Sequence, residues 1–98
     1  MTIILEHKVN EVQFYTLYGH LSLDSIKNLK IGAIFKEQDC IARLGGSKIN
    51  GDYAPHLHFQ VIKDIQNNQG DYPGVCNKRN LKFYSANCPD PNVLLKLI

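Results

Sequence analysis

A chain of 98 residues has room for one hydrophobic core and little surplus stability, so a single domain spanning residues 1–98 with one active surface is expected. Its 44% hydrophobic and 20% charged content exclude a disordered class, and no apolar run approaches the roughly 20 residues that a membrane helix needs. The net charge of +2 is spread over scattered lysines, with "KNLK" and "NKRN" the local concentrations, so neither a nucleic-acid nor a membrane partner is expected.

The opening "MTIILEHKVN" lacks a basic stretch followed by an apolar segment and a small-residue cleavage site, and so does not read as a signal peptide. A cytoplasmic location is expected, or the cell envelope if the chain is a fragment of a secreted protein. "TIILEH" and "VQFYTLYGHL" are rich in β-branched and aromatic residues, with Asn10 as a turn residue between them, and together predict a β-hairpin. Along its second strand Val12, Phe14, Thr16, Tyr18 and His20 would share a face. "SLDSIKNLKIG" predicts a short helical or irregular connection, with Gly32 turning the chain back. "AIFKEQDCIARLGG" predicts a second strand pair, its apolar Ile34, Cys40, Ile41 and Leu44 interrupted by the polar turn "KEQD".

"GGSKINGDYAP" is a loop, and Pro55 suits the first position of a strand. "HLHFQVI" then alternates, with Leu57, Phe59 and Val61 on a core face and His56, His58 and Gln60 on a face left for chemistry. Beyond Lys63, "DIQNNQGDYPGVCNKRN" reads as a long polar surface connector. "PDPNVLLKLI" predicts a short C-terminal helix, with Asp90 as N-cap and Pro91 at the first helical position. The fold class that follows is mainly β, a small antiparallel sheet of short strands joined by turns.

Cys40, Cys76 and Cys88 are an odd number without C-x-x-C spacing, which argues against a closed disulfide framework and against a thiolate zinc site. Cys40 is expected in the core; Cys76 and Cys88 flank a polar loop and could pair if the protein meets an oxidising compartment, which nothing in the sequence requires. The histidines carry the functional signal. On a strand, His56 and His58 emerge on one face, which suits a metal ion or a ligand beside an acid/base group; the plain alternative is a surface H-x-H without a role. His20, at the end of a neighbouring strand, would meet them across the sheet or else serve as a hydrogen-bonded strand end. His7, near a turn, reads as a bystander.

"YGHLS", then "LKIGAIFKEQDCIARLG", then "PHLHFQV" resemble, in this order, the C-terminal part of the lysostaphin-type zinc endopeptidases, which cleave peptide bonds in bacterial peptidoglycan. That family carries a Y-x-H-L segment, a G-x-x-V-x-x-G-x-x-I-x-x-x-G segment and an H-L-H-F strand. The resemblance covers residues 3 to 62 and implies the family's small antiparallel β fold (the duplicated hybrid motif), its first strands missing here, with residues 63–98 as an irregular extension. It implies zinc as cofactor with His58 as a ligand, His20 and His56 as the non-ligand histidines beside the metal-bound water, and Tyr18 and Gln60 as supports of these rings. Peptidoglycan cross-bridges or other peptides are the implied partners.

The family's other two ligands come from an H-x-x-x-D motif upstream of the segment matched by "TIILEH", where this sequence starts; His7 and Glu11 give H-x-x-x-E. One of three zinc ligands is then present, and the isolated chain is expected to be weakly active or inactive. "FKEQD" also departs from the family, which has a glycine at Glu37 or nearby. "GDYPGVCN" and "CPDPNVLL" resemble, more loosely, the tail of peptidase-like segments within larger cytosolic proteins that also carry kinase-like and aminotransferase regions. Missing strands would leave an unpaired sheet edge, so a homo-oligomer is expected. Two other function classes fit the same residues: a non-catalytic peptide- or peptidoglycan-binding module, and a phosphotransfer or carrier domain, which the absence of a carrier-type lysine motif at the turn disfavours.

Overall fold

The computed structural model describes residues 1–48, 54–69 and 71–95. β1 (Ile3–Val9) and β2 (Val12–Gly19) form the expected hairpin, in antiparallel register from Ile3 opposite Tyr18 to Val9 opposite Val12. Asn10 and Glu11 close it with φ of +50° and +70°, the paired left-handed conformation whose twist matches that of the strands. β3 (His58–Ile62) lies beside β2, giving a three-stranded antiparallel sheet in the order β1-β2-β3. The helices are short: α1 (Leu23–Ile26), α2 (Leu81–Asn87), led in by a 3-10 turn at Lys78–Asn80, and α3 (Asn92–Leu95). None is long and apolar enough to cross a membrane.

The residues divide into two compact units, one of Met1 with Gly19–Leu57 and one of Thr2–Tyr18 with His58–Ile98. The second holds the sheet and its core. Leu17, Ile62 and Tyr72 are buried together, with Ile4, Tyr15, Ile65, Tyr84 and Cys88 packed around them. Ile4 stands opposite Leu17 in the register, so both project from one face, and Tyr72 and Tyr84 cover that face edge-to-face at 6.0 Å between ring centres. Asn87 anchors the covering segment: its amide donates to the Asp64 carbonyl (2.8 Å) and the Tyr72 hydroxyl (2.5 Å), while its side-chain oxygen accepts from the Asp64 N–H (2.9 Å). Every polar atom of this buried side chain is therefore satisfied.

Residues 64–80 do not form a surface connector alone, because Tyr72 turns inward as a core residue, and α2 follows in a stretch with no expected element. The polar composition of 64–80 conceals a single aromatic anchor. "AIFKEQDCIARLGG" forms no strand pair; Lys36 and Asp39 close a turn, Leu44 makes one isolated bridge to Leu21, and Ile34 is 91% exposed. Cys40 is exposed rather than in the core. β3 begins at His58, so Pro55, His56 and Leu57 precede the strand, and Leu57 is exposed.

The assignment of faces changes too. Val61 and Ile62 are adjacent and both buried, as are Thr16 and Leu17, so the sheet is covered on both sides at this end and strict alternation of buried and exposed residues cannot hold. Ile62 shares its side of β3 with His58 and Gln60, which places the core on the side expected to be open. The C-terminal helix is present but begins one position later than expected, at Asn92 rather than Pro91, with the Asp90 carboxylate accepting from the Asn92 N–H at 2.9 Å; residues 96–98 of the expected helix lie outside the described residues.

Candidate functional site

His20 sits where β2 ends. Its φ of +64° is a left-handed conformation uncommon for a side chain larger than glycine, so the alternation of β2 stops at Gly19 and His20 does not continue the face of Phe14, Thr16 and Tyr18. Its position is held from both sides. The His20 carbonyl accepts from the Gly45 N–H (2.6 Å), Leu21 N–H donates to the Met1 carbonyl (2.9 Å), and Ser22 N–H donates to the Arg43 carbonyl (2.8 Å). Ser22 then caps α1, its hydroxyl accepting from the Ser25 N–H at 3.3 Å.

In the same unit the His56 ring lies against that of His20, 4.6 Å between centres and tilted by 51°. His56 Nδ1 is 2.7 Å from the Ala54 carbonyl. A carbonyl oxygen accepts and never donates, so Nδ1 carries the proton and, in the neutral ring, Nε2 carries the lone pair. The fold thus brings together the two histidines read as the acid/base pair, although His56 lies outside the strand on which the spacing argument placed it.

His58 belongs to the other unit, at the start of β3. Its Nε2 is 2.7 Å from Gln60 Oε1, and the Gln60 amide nitrogen faces the Pro73 carbonyl (3.2 Å) and the Cys88 sulfur (3.7 Å). The Pro73 oxygen can only accept, which fixes the amide orientation and makes His58 Nε2 the donor. In the neutral ring the lone pair is then on Nδ1, the opposite tautomer from His56. Gly74 packs against this ring: a Cβ there would stand 3.0 Å from His58 Cε1 and 3.3 Å from Nε2, so any larger residue would push the ring aside by a few tenths of an ångström. Gln60 is therefore the hydrogen-bond partner of His58. Tyr18 lies elsewhere: its ring meets Phe59 edge-on at 5.3 Å and its hydroxyl accepts from Thr16 at 3.1 Å, on the face of β3 opposite His58.

His7, read as a bystander, is part of that opposite face. It stacks on Phe14 (4.9 Å, 14°), and its Nε2 is 2.7 Å from the hydroxyl of buried Thr16, which in turn reaches Tyr18. Burial holds its imidazole below the ordinary value of 6.5. The signal was the hairpin register, which sets His7 opposite Phe14 and diagonal to Thr16.

Among the described residues, no group of three His, Cys, Asp or Glu side chains is placed to hold a metal ion. His20 and Asp24 have the spacing of H-x-x-x-D, but Asp24 lies in the first turn of α1 and completes no such group. Among the described residues, then, no three-ligand zinc centre is assembled. Comparison with models of known families, with curated proteins and with solved structures returns no match.

Proposed function

We propose that this chain is a lysostaphin-type peptidase-like domain with an incomplete zinc site, and that by itself it hydrolyses peptides weakly or not at all. The observation that carries the reading is the His20–His56 contact of 4.6 Å, which joins the histidines of the Y-G-H-L and H-L-H-F segments, the two assigned to acid/base work. A second feature agrees with it. Counting the family's glycine pattern from Gly32 (φ +93°) brings its next glycine to Gln38, and Gln38 adopts φ +70°, a conformation that favours glycine. The backbone form expected of the pattern persists where the residue has changed.

Within this reading His56 Nε2 is the proton acceptor of the pair and His20 the neighbour that orients or shares the proton, while Gln60 and Gly74 hold His58 in one ring orientation. No hydrolytic step is assigned, because the described donors do not complete a centre that would activate water. The partner proposed is a glycine-rich or cross-bridge peptide of peptidoglycan. Titration of the labelled protein with such a peptide at millimolar concentration, followed by NMR, is expected to shift the His20 and His56 ring signals without peptide cleavage. Unchanged histidine signals would reject the peptide-binding reading, and zinc-dependent cleavage would reject the inactive one.

A further inference from the structure

In the unit that holds the sheet, a cavity of ≈ 220 Å³ opens beside Gln60 and Gly74 and is also lined by Tyr84, Ser85 and two thiols, Cys76 and Cys88. Both cysteines are unbridged. They differ in access. Cys76 is exposed, on the irregular stretch between Tyr72 and the 3-10 turn, whereas Cys88 is half-buried, packed against the core at the end of α2 with its N–H bonded to the Tyr84 carbonyl at 2.8 Å. The Cys88 sulfur accepts from the Gln60 amide at 3.7 Å. Cys40, exposed in the other unit, has its sulfur 3.7 Å from the Ala42 carbonyl and lines a different cavity.

An exposed cysteine and a sheltered one lining the same small cavity match the arrangement of an attacking and a resolving cysteine. We propose that Cys76 and Cys88 are a reversible dithiol site that exchanges with small disulfides of the glutathione type. The Cys76 thiolate attacks one sulfur of the small disulfide; that S–S bond breaks, and a first small thiol leaves with the proton Cys76 has lost. The Cys88 thiolate then attacks Cys76 Sγ in the mixed disulfide, and a second small thiol leaves with the Cys88 proton. Two protein thiols are oxidised to one disulfide and one small disulfide is reduced to two thiols. The new bond spans the cavity beside Gln60, and excess small thiol reverses it. This inference is independent of the peptidase reading, because it uses neither zinc nor peptide.

The test incubates the folded 98-residue protein with oxidised glutathione, alkylates the remaining thiols, and maps unreduced peptides by mass spectrometry. The expected product joins Cys76 to Cys88, with Cys40 either alkylated or carrying glutathione. In Cys88→Ser, glutathione is expected to stay on Cys76; in Cys76→Ser, at an exposed position that the fold tolerates, Cys88 is expected to remain a free thiol. The proposal is overturned if the folded wild-type protein retains glutathione on Cys76 while Cys88 is alkylated. It is equally overturned if bonds to Cys40 form as often as the Cys76–Cys88 bond.

Discussion

The two units are organised on opposite principles. The unit of Thr2–Tyr18 and His58–Ile98 has the three strands, α2 and an aromatic core, and its functional candidates His58 and Gln60 project from a strand. Among its described residues, the unit of Gly19–Leu57 has one helical turn and an isolated bridge, leaves Ile31 and Ile34 almost fully exposed, and holds His20 and His56 on irregular backbone. A regular element fixes its side chains through the strand geometry. Loops position groups by specific backbone bonds and at the expense of strain, as at His20 and Gln38.

The largest effect expected to sharpen this contrast is in the core. Ile62 is fully buried, and Ile62→Ala should lower stability by about 2–5 kcal/mol through lost burial and the cavity left behind, a large share of what a chain this size has. Ile34→Ala in the other unit should change it by no more than about 0.5 kcal/mol. Urea unfolding of both variants checks the difference; equal losses would break the comparison. Next is Asn87→Ala, which strands the Asp64 backbone groups and the Tyr72 hydroxyl and should lose about 1–3 kcal/mol in the same assay.

A smaller effect follows from His7. Burial depresses its pKa in the folded protein, so as pH falls the unfolded chain takes up the proton first. Its contribution to stability is fully present above about pH 6.5 and declines as pH drops through 6.5 toward the depressed value. Urea midpoints measured across this window should show a steeper acid-side decline for the wild-type protein than for His7→Gln; parallel curves would contradict the assignment. The smallest expected effect is a gain. Gln38→Gly relieves a left-handed residue that costs roughly 1–2 kcal/mol, partly offset by the extra freedom of glycine in the unfolded chain, so thermal unfolding should rise slightly. A fall would show that the Gln38 side chain stabilises that turn.

The hairpin was legible because alternating β-branched and aromatic residues and a turn asparagine agree with one another, and the start of α3 beside Asp90 was legible to within one position because capping is a local interaction. Tyr72 and α2 were not, since an aromatic anchor in a polar stretch has no periodicity to announce it, and the helix is short. "HLHF" suggested one strand with one chemical face. Its first histidine instead falls before β3, and the face shared by His58 and Gln60 is covered by segments distant in sequence, a tertiary fact that alternation cannot encode. The His20–His56 pairing was suggested by motif order, and the tautomers of His56 and His58 emerged once their carbonyl and amide partners were in place.

The most direct test of the central claim is a zinc titration of the purified chain beside His58→Ala, by competition with a chromophoric chelator. An incomplete ligand set predicts weak uptake that His58→Ala weakens further. Tight, stoichiometric zinc in the wild-type chain would contradict it, since that affinity requires a complete set of protein ligands.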